Sequence, residues 1–188
     1  MDPLKLIALD HDDIAVVSTH LQDAVVKVAD IVWLPAERRL VLGLNRFDWE
    51  ACGCEDPCYK RRRTALRFER VMSLRCRNVR PADKDSVLNL LAVEFTQSDA
   101  PAGVVTLIFS GGAALRLEVE CLECELADLG PTWDAKARPV HQVDSISPQG
   151  RRDFCGNLSS LLPPLKGGAP GGLRPPSGTP MHCIGYDA

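Results

Sequence analysis

Aromatic side chains are scarce in this 188-residue chain: five Phe, three Trp and two Tyr, 5% of the total. With so few, those present are needed to close a core. Long apolar runs are also missing. Val104–Val105 and Leu107–Phe109, parted by one threonine, are far too short to span a bilayer, so no membrane segment is expected. Neither sign of charge dominates: 22 Lys and Arg face 25 Asp and Glu, a net charge of −3, so no global field draws the chain to nucleic acid or lipid. Histidine is limited to four copies, and no G-x-S-x-G, P-loop, Rossmann glycine run or H-E-x-x-H string occurs. The opening MDPLKLIALDHDD lacks the basic start, apolar centre and small-residue cleavage site of a secretory signal, which places the expected protein in the cytoplasm. There is no internal repeat.

What is present is β patterning. In GVVTLIFSGGAALRLEVE, Gly103 to Glu120, the first strand is almost wholly apolar and Ser110-Gly111-Gly112 supplies a turn, because glycine accepts positive φ. On the return Leu115, Leu117 and Val119 point one way and Arg116, Glu118 and Glu120 the other, the mark of a half-buried strand. Upstream, Leu4 to Leu9 reads as a short strand or an extended lead-in. Asp10 caps a helix over residues 11–23, with Asp12 and Asp13 complementing its dipole and Ile14, Val17 and Leu21 at helical spacing. Val25–Leu34 and Arg39–Phe47 are strands parted by a proline turn. Leu40, Leu42 and Leu44 share a face, and Gly43 on the other suggests a bulge or a close neighbour.

A single long strand is expected from Arg62 to Arg77, with Leu66, Phe68, Met72, Leu74 and Cys76 inward. Ser86 to Thr96 is expected as a strand with Val87, Leu91, Val93 and Phe95 inward, a helix being possible for its first half. Cys121, Leu122, Glu125, Leu126 and Leu129 fit a short closing helix that Gly130-Pro131 ends. The sum is an α+β domain over residues 1–142. Its core is a mainly antiparallel meander sheet of about six strands, open or closed into a barrel, with an N-terminal and a short C-terminal helix. Residues 143–188 are rich in proline and glycine without a period, and are expected to be a disordered tail.

Charge is unevenly laid out. Lys60, Arg61, Arg62, Arg63, Arg67, Arg70, Arg75, Arg77 and Arg80 crowd one stretch against a lone Glu69, while the acids gather near the first helix and around Glu118–Asp128. Such a strand either contacts phosphate, with Phe47, Trp49 or Tyr59 to stack, or pairs with acidic strands across the sheet. The string Asn45-Arg46-Phe47-Asp48-Trp49-Glu50 likewise reads as a recognition edge or as a plug at the open end of the sheet. The candidate binding residues are therefore Arg46, Trp49, Arg61, Arg62, Arg63, Arg67, Arg75 and Arg77.

Eight cysteines are many, but the spacing C-x-C-x3-C at Cys52, Cys54 and Cys58 lacks a paired C-x2-C partner. Cys121 and Cys124 have that spacing without a second pair. Surface-loop and core thiols are the expectation, with no metal site and no cofactor. His11 in the acidic helix start and His20 on the helix point to capping or solvated roles, and no catalytic residue is assigned.

Several strings taken together resemble a known family: LKLIALD, THLQDAV, LNRFDWE, RRRTALRFERV and GVVTLIFSGGAALRLEVECLECELADLGPTW. They are similar to an uncharacterised bacterial family, domain of unknown function 2948, over about residues 4–140. The resemblance implies a small cytoplasmic protein and no known activity. The loop ACGCEDPCY and the tail lie outside the recognised pattern. The first functional reading is a non-enzymatic binding module whose partner is a protein, since an antiparallel sheet offers edges and a wet face. An RNA- or nucleotide-binding domain using Lys60–Arg80 is the alternative, and an enzyme with an unlocated site the third. Homodimerisation through an edge strand is a further expectation.

Overall fold

The computed structural model describes residues 3–48, 60–135 and 184–185. The expectations for the cysteine loop at residues 51–59 and for the tail at residues 143–188 fall outside that range, apart from Ile184–Gly185, and so does Trp49. The chain runs β1 (Lys5–Ala8), α1 (His11–Leu21), β2 (Ala24–Leu34), β3 (Arg39–Phe47), β4 (Lys60–Phe68), β5 (Val71–Arg77), β6 (Val87–Gln97), β7 (Gly103–Phe109), β8 (Ala114–Val119), β9 (Cys124–Asp134) and β10 (Ile184–Gly185).

The expected sheet and helix are present, but strands are more numerous and differently ordered. Ten strands form one open sheet in the order β1-β9-β4-β3-β2-β6-β7-β8-β5-β10, antiparallel except where β10 joins β5. The barrel alternative is not realised, because β1 and β10 end the sheet. Nor is the order a simple meander. β4 and β5 are joined through Glu69 and Arg70 yet lie in opposite halves of the sheet, and β8 and β9 are split the same way. Such short links force the sheet to double back, so its two inner faces meet in one core. Val71 N–H donates to the Arg38 carbonyl at 2.8 Å where the halves approach.

Local chemistry explains most elements. The Asp10 carboxylate accepts from Asp13 N–H at 2.9 Å and starts α1, which buries Ile14, Val17 and Leu21. The helix ends at Leu21, two residues before the expected limit, because Asp23 turns into the left-handed region at φ 61° to begin β2. Ser18 Oγ accepts from Val93 N–H at 2.8 Å, which ties α1 to the part of β6 that β2 leaves uncovered. The hairpin β7–β8 forms as expected, with Gly111 and Gly112 both at φ 72°.

Three expectations are corrected. The closing helix at Cys121–Leu129 is strand β9: Leu122, Cys124 and Leu126 alternate inward, and β9 gains ladders to both β1 and β4 that a helix would forgo. The long strand over Arg62–Arg77 breaks at Arg70, φ 58°, so the alternation restarts and Val71 is buried while Met72 is exposed. In β6 the ladder to β7 shifts between Leu90 and Ala92. Leu88, Leu90 and Val93 therefore face the core, and Val87 and Leu91 face outward. Of the described cysteines Cys121 and Cys124 are free thiols, whereas Cys76 is disulfide-bonded.

Candidate functional site

The basic stretch does not form one face. Along β3, Arg46 follows Leu40, Leu42 and Leu44 in phase and points inward. Along β4, Arg62 and Thr64 are in phase with Leu66 and Phe68. Along β9, Asp128 is in phase with Cys124 and Leu126. The three strands are neighbours, so these polar ends converge inside the fold. Arg46 clasps Asp128 with a two-point fork, Nε to Oδ1 and Nη2 to Oδ2, each 2.9 Å, with both side chains 0% exposed. Arg62 Nη2 reaches Asp48 Oδ2 at 3.0 Å, and its Nε lies 3.4 Å from Asp128 Oδ2. Thr64 Oγ1 and the Leu4 N–H also donate to Asp128, at 2.8 and 2.9 Å. Burial pushes the Asp128 carboxyl up. The hydrogen bonds from Arg46, Leu4 and Thr64 outweigh that and hold it below the usual carboxylate range. Two arginines and two aspartates thus form a neutral, mutually bonded cluster. Arg46 and Arg62 are thereby buried and bonded within the fold.

The remaining basic candidates lie on the outer face and are mostly answered by acids, as the pairing alternative requires. Arg63 stretches across Gly43 to Asp30 at 2.9 Å, and a Cβ on Gly43 would fall 2.6 Å from its Nη2. Arg67 bonds Glu125 and lies 3.2 Å from Glu69, and Arg75 lies 3.5 Å from Glu118. Arg77 Nε donates to the Gly112 carbonyl at 3.3 Å. Arg61 differs. Its Nη1 donates to the carbonyls of Asp23 and Asn45, at 3.2 and 3.0 Å, its guanidinium lies over the Phe47 ring at 5.9 Å, and burial pulls its pKa down. Arg61 stands directly between Phe47 and the exposed Trp133 in the strand register. Over the described part of Asn45–Glu50, Arg46, Phe47 and Asp48 are all buried, while Trp49 and Glu50 lie outside the described residues.

A further feature involves residues to which the sequence assigns only structural roles. Among the described residues β1 ends the sheet, with β9 on its one paired side. The Asp128 N–H donates to the Leu4 carbonyl, and alternation then makes Leu6 and Ala8 the next bonded positions, so the backbone groups of Lys5 and Ile7 turn to the open side. Ile7 is 57% exposed and Leu9 63%. Where β1 ends, a cleft of about 390 Å³ opens, walled by Leu9, Phe95, Pro101 and Leu122, with Asp10, His11, Gln97 and Cys121 as its polar lining. Gly103 makes room for one wall, since a Cβ there would sit 2.4 Å from the Phe95 ring. The only sequence signal for this site was the apolar run in β1 leading straight into acids.

A family model described as Protein of unknown function (DUF2948) matches residues 4–141. The chain belongs to that family. Nothing among curated proteins and nothing among solved structures matches it. The DUF2948 region spans β1 to β9 and includes the buried cluster, the open edge and the cleft. No helix among the described residues is long and apolar enough to cross a membrane. Among the described residues no three His, Cys, Asp or Glu side chains gather as metal ligands. Burial and the neighbouring Glu125 push the Cys124 thiol far up, so that sulfur stays protonated and is a poor nucleophile.

Proposed function

We propose that this DUF2948 domain is a non-enzymatic protein-binding module that takes an extended segment of another protein along β1. The observation that carries this is the open edge: the outward backbone groups of Lys5 and Ile7 are a template for one more strand, with Ile7 and Leu9 exposed beside them. In strand addition main-chain hydrogen bonds supply affinity, and neighbouring side-chain pockets supply selectivity. A binding role also fits the chemistry of the interior. The Asp128 carboxyl, held low by its hydrogen bonds, is consumed by the buried cluster rather than held ready for a reaction.

The test selects a displayed library of unstructured segments on the folded chain and maps the winners by amide shifts. Winners are expected to move the Lys5 and Ile7 amides. Ile7→Pro removes an outward N–H without touching the β9 ladder, and is expected to weaken them at least about fivefold, the worth of about one net hydrogen bond, with the ring also blocking approach. Ile7→Thr, which keeps the N–H, serves as the folded control. Winners that map elsewhere, or that bind Ile7→Pro equally well, overturn the reading. A second copy of the chain is the other possible occupant, and dimerisation abolished by Ile7→Pro would assign the edge to it.

One observation favours RNA or a nucleotide as a second reading. The exposed Trp133 is the cross-strand partner of Arg61, whose hydrogen bonds run to carbonyls rather than to a carboxylate. A stacking site there would be lost in Trp133→Ala.

A further inference from the structure

We infer that the cleft at the end of β1 recognises a large apolar side chain followed closely by a cationic one on the segment bound at the edge. This rests on β1 as the docking edge and names what that edge selects. The cleft begins at the residue after β1, so a strand laid along Lys5–Ala8 runs towards it. Its volume, about 390 Å³, has room for a large side chain and part of its neighbour, and Leu9, Phe95 and Leu122 supply apolar contact.

The charge beside it is one-sided. Asp10 lines the cleft, and Asp12 and Asp13 follow in the first turn of α1. Among the described residues none of the three is ion-paired: the Asp10 carboxylate accepts only from Asp13 N–H and the Asp13 carboxylate from Leu9 N–H, Lys5 lies 3.1 Å from Glu125, and His11 beside Asp10 is the one basic side chain in the lining. Three carboxylates outweigh the roughly half unit of positive charge at a helix N-terminus. A cation placed just past the apolar anchor therefore meets uncompensated negative charge, whereas an acid there meets like charge.

The experiment uses the full chain, labelled for amide detection, and three synthetic eight-residue peptides of alternating Thr and Val. The first carries a central Phe followed by Lys, the second has Glu in place of the Lys, and the third has Ser in place of the Phe. The first peptide is expected to move the amides of Leu9, Gln97 and Leu122 together with those of Lys5 and Ile7. Replacing its Lys by Glu is expected to weaken binding at least about tenfold, a like-charge penalty of the size that sets specificity. Replacing Phe by Ser should leave the cleft amides still. In the protein, Asp10→Asn with Asp12→Asn keeps a capping side chain and should shrink the Lys-over-Glu preference to less than about threefold.

Equal binding of the Lys and Glu peptides, or silent cleft amides while Lys5 and Ile7 move, overturns this inference and leaves the edge reading standing. Silence at both places overturns both. Cleft shifts that track protein concentration without peptide, or benzylamine binding as tightly as the first peptide, would assign the cleft to a second copy or to a small molecule and overturn it as well.

Discussion

Arg46 occupies the fourth inward position of β3, after Leu40, Leu42 and Leu44, and the fold accommodates a guanidinium there because Asp128 arrives from β9 at the matching place. A buried ion pair adds little by itself, since desolvation offsets most of the attraction, but removing one partner strands the other. Asp128→Ala is therefore expected to cost about 3–5 kcal/mol in urea unfolding at neutral pH, and Arg46→Ala a similar amount. The pH dependence follows from the depressed Asp128 carboxyl. Its contribution is full above the unfolded value of about 3.9 and is lost as pH falls through the lower folded value. The gap between the parent chain and Asp128→Asn should then be constant from neutral pH down to about 5 and narrow below about 4. A gap that persists undiminished in acid would show that the carboxylate charge is not what stabilises the cluster. The signal was in the sequence as phase: Arg46, Arg62 and Asp128 each keep step with the core residues of their strands. A charged residue at a strand end reads first as solvent-facing, and that masks the phase.

Whole elements were legible where the pattern was local. The β7–β8 hairpin, the bounds of β3 and the start of α1 all follow from a few adjacent side chains and a cap. Parity was lost wherever one extra residue enters a strand, since a slip of one exchanges the two faces. β6 is the sharpest case. An unbroken strand puts Leu91 inside, but the shift after Leu90 buries Leu90 and leaves Leu91 44% exposed. Leu90→Ala is accordingly expected to cost about 2–5 kcal/mol and Leu91→Ala no more than about 0.5 kcal/mol, read as the difference in urea midpoints at unchanged slope. The reverse ranking would restore the unbroken strand. β9 was hidden for a different reason. Leu122, Leu126 and Leu129 satisfy a helical period, and only the ladders to β1 and β4 decide for a strand.

At the scale of the molecule, the order of the ten strands was not readable, because β4 and β5 are one sequence run that two distant parts of the sheet share. That same order disperses the basic stretch. Lys60 to Phe68 lies between the acid-bearing β9 and β3, and Val71 to Arg77 beside β8 with Glu118, so cations contiguous in sequence meet separate counter-charges in space. Phosphate binding releases counterions only where a cation is available to replace them, and the logarithm of affinity falls with that of salt by about 0.7 per phosphate neutralised on a single strand. With Arg62 interior and Arg63, Arg67 and Arg75 already paired, and the whole chain at net −3, these four arginines offer few such contacts. Retention of the full chain on single-stranded RNA is expected to be weak, with a slope of about 1 or less between about 50 and about 200 mM salt. A slope of about 3 or more, reduced by Arg63→Ala and Arg67→Ala in a chain that still melts normally, would mean that these arginines leave their carboxylates for phosphate. The RNA reading would then displace the strand-addition one.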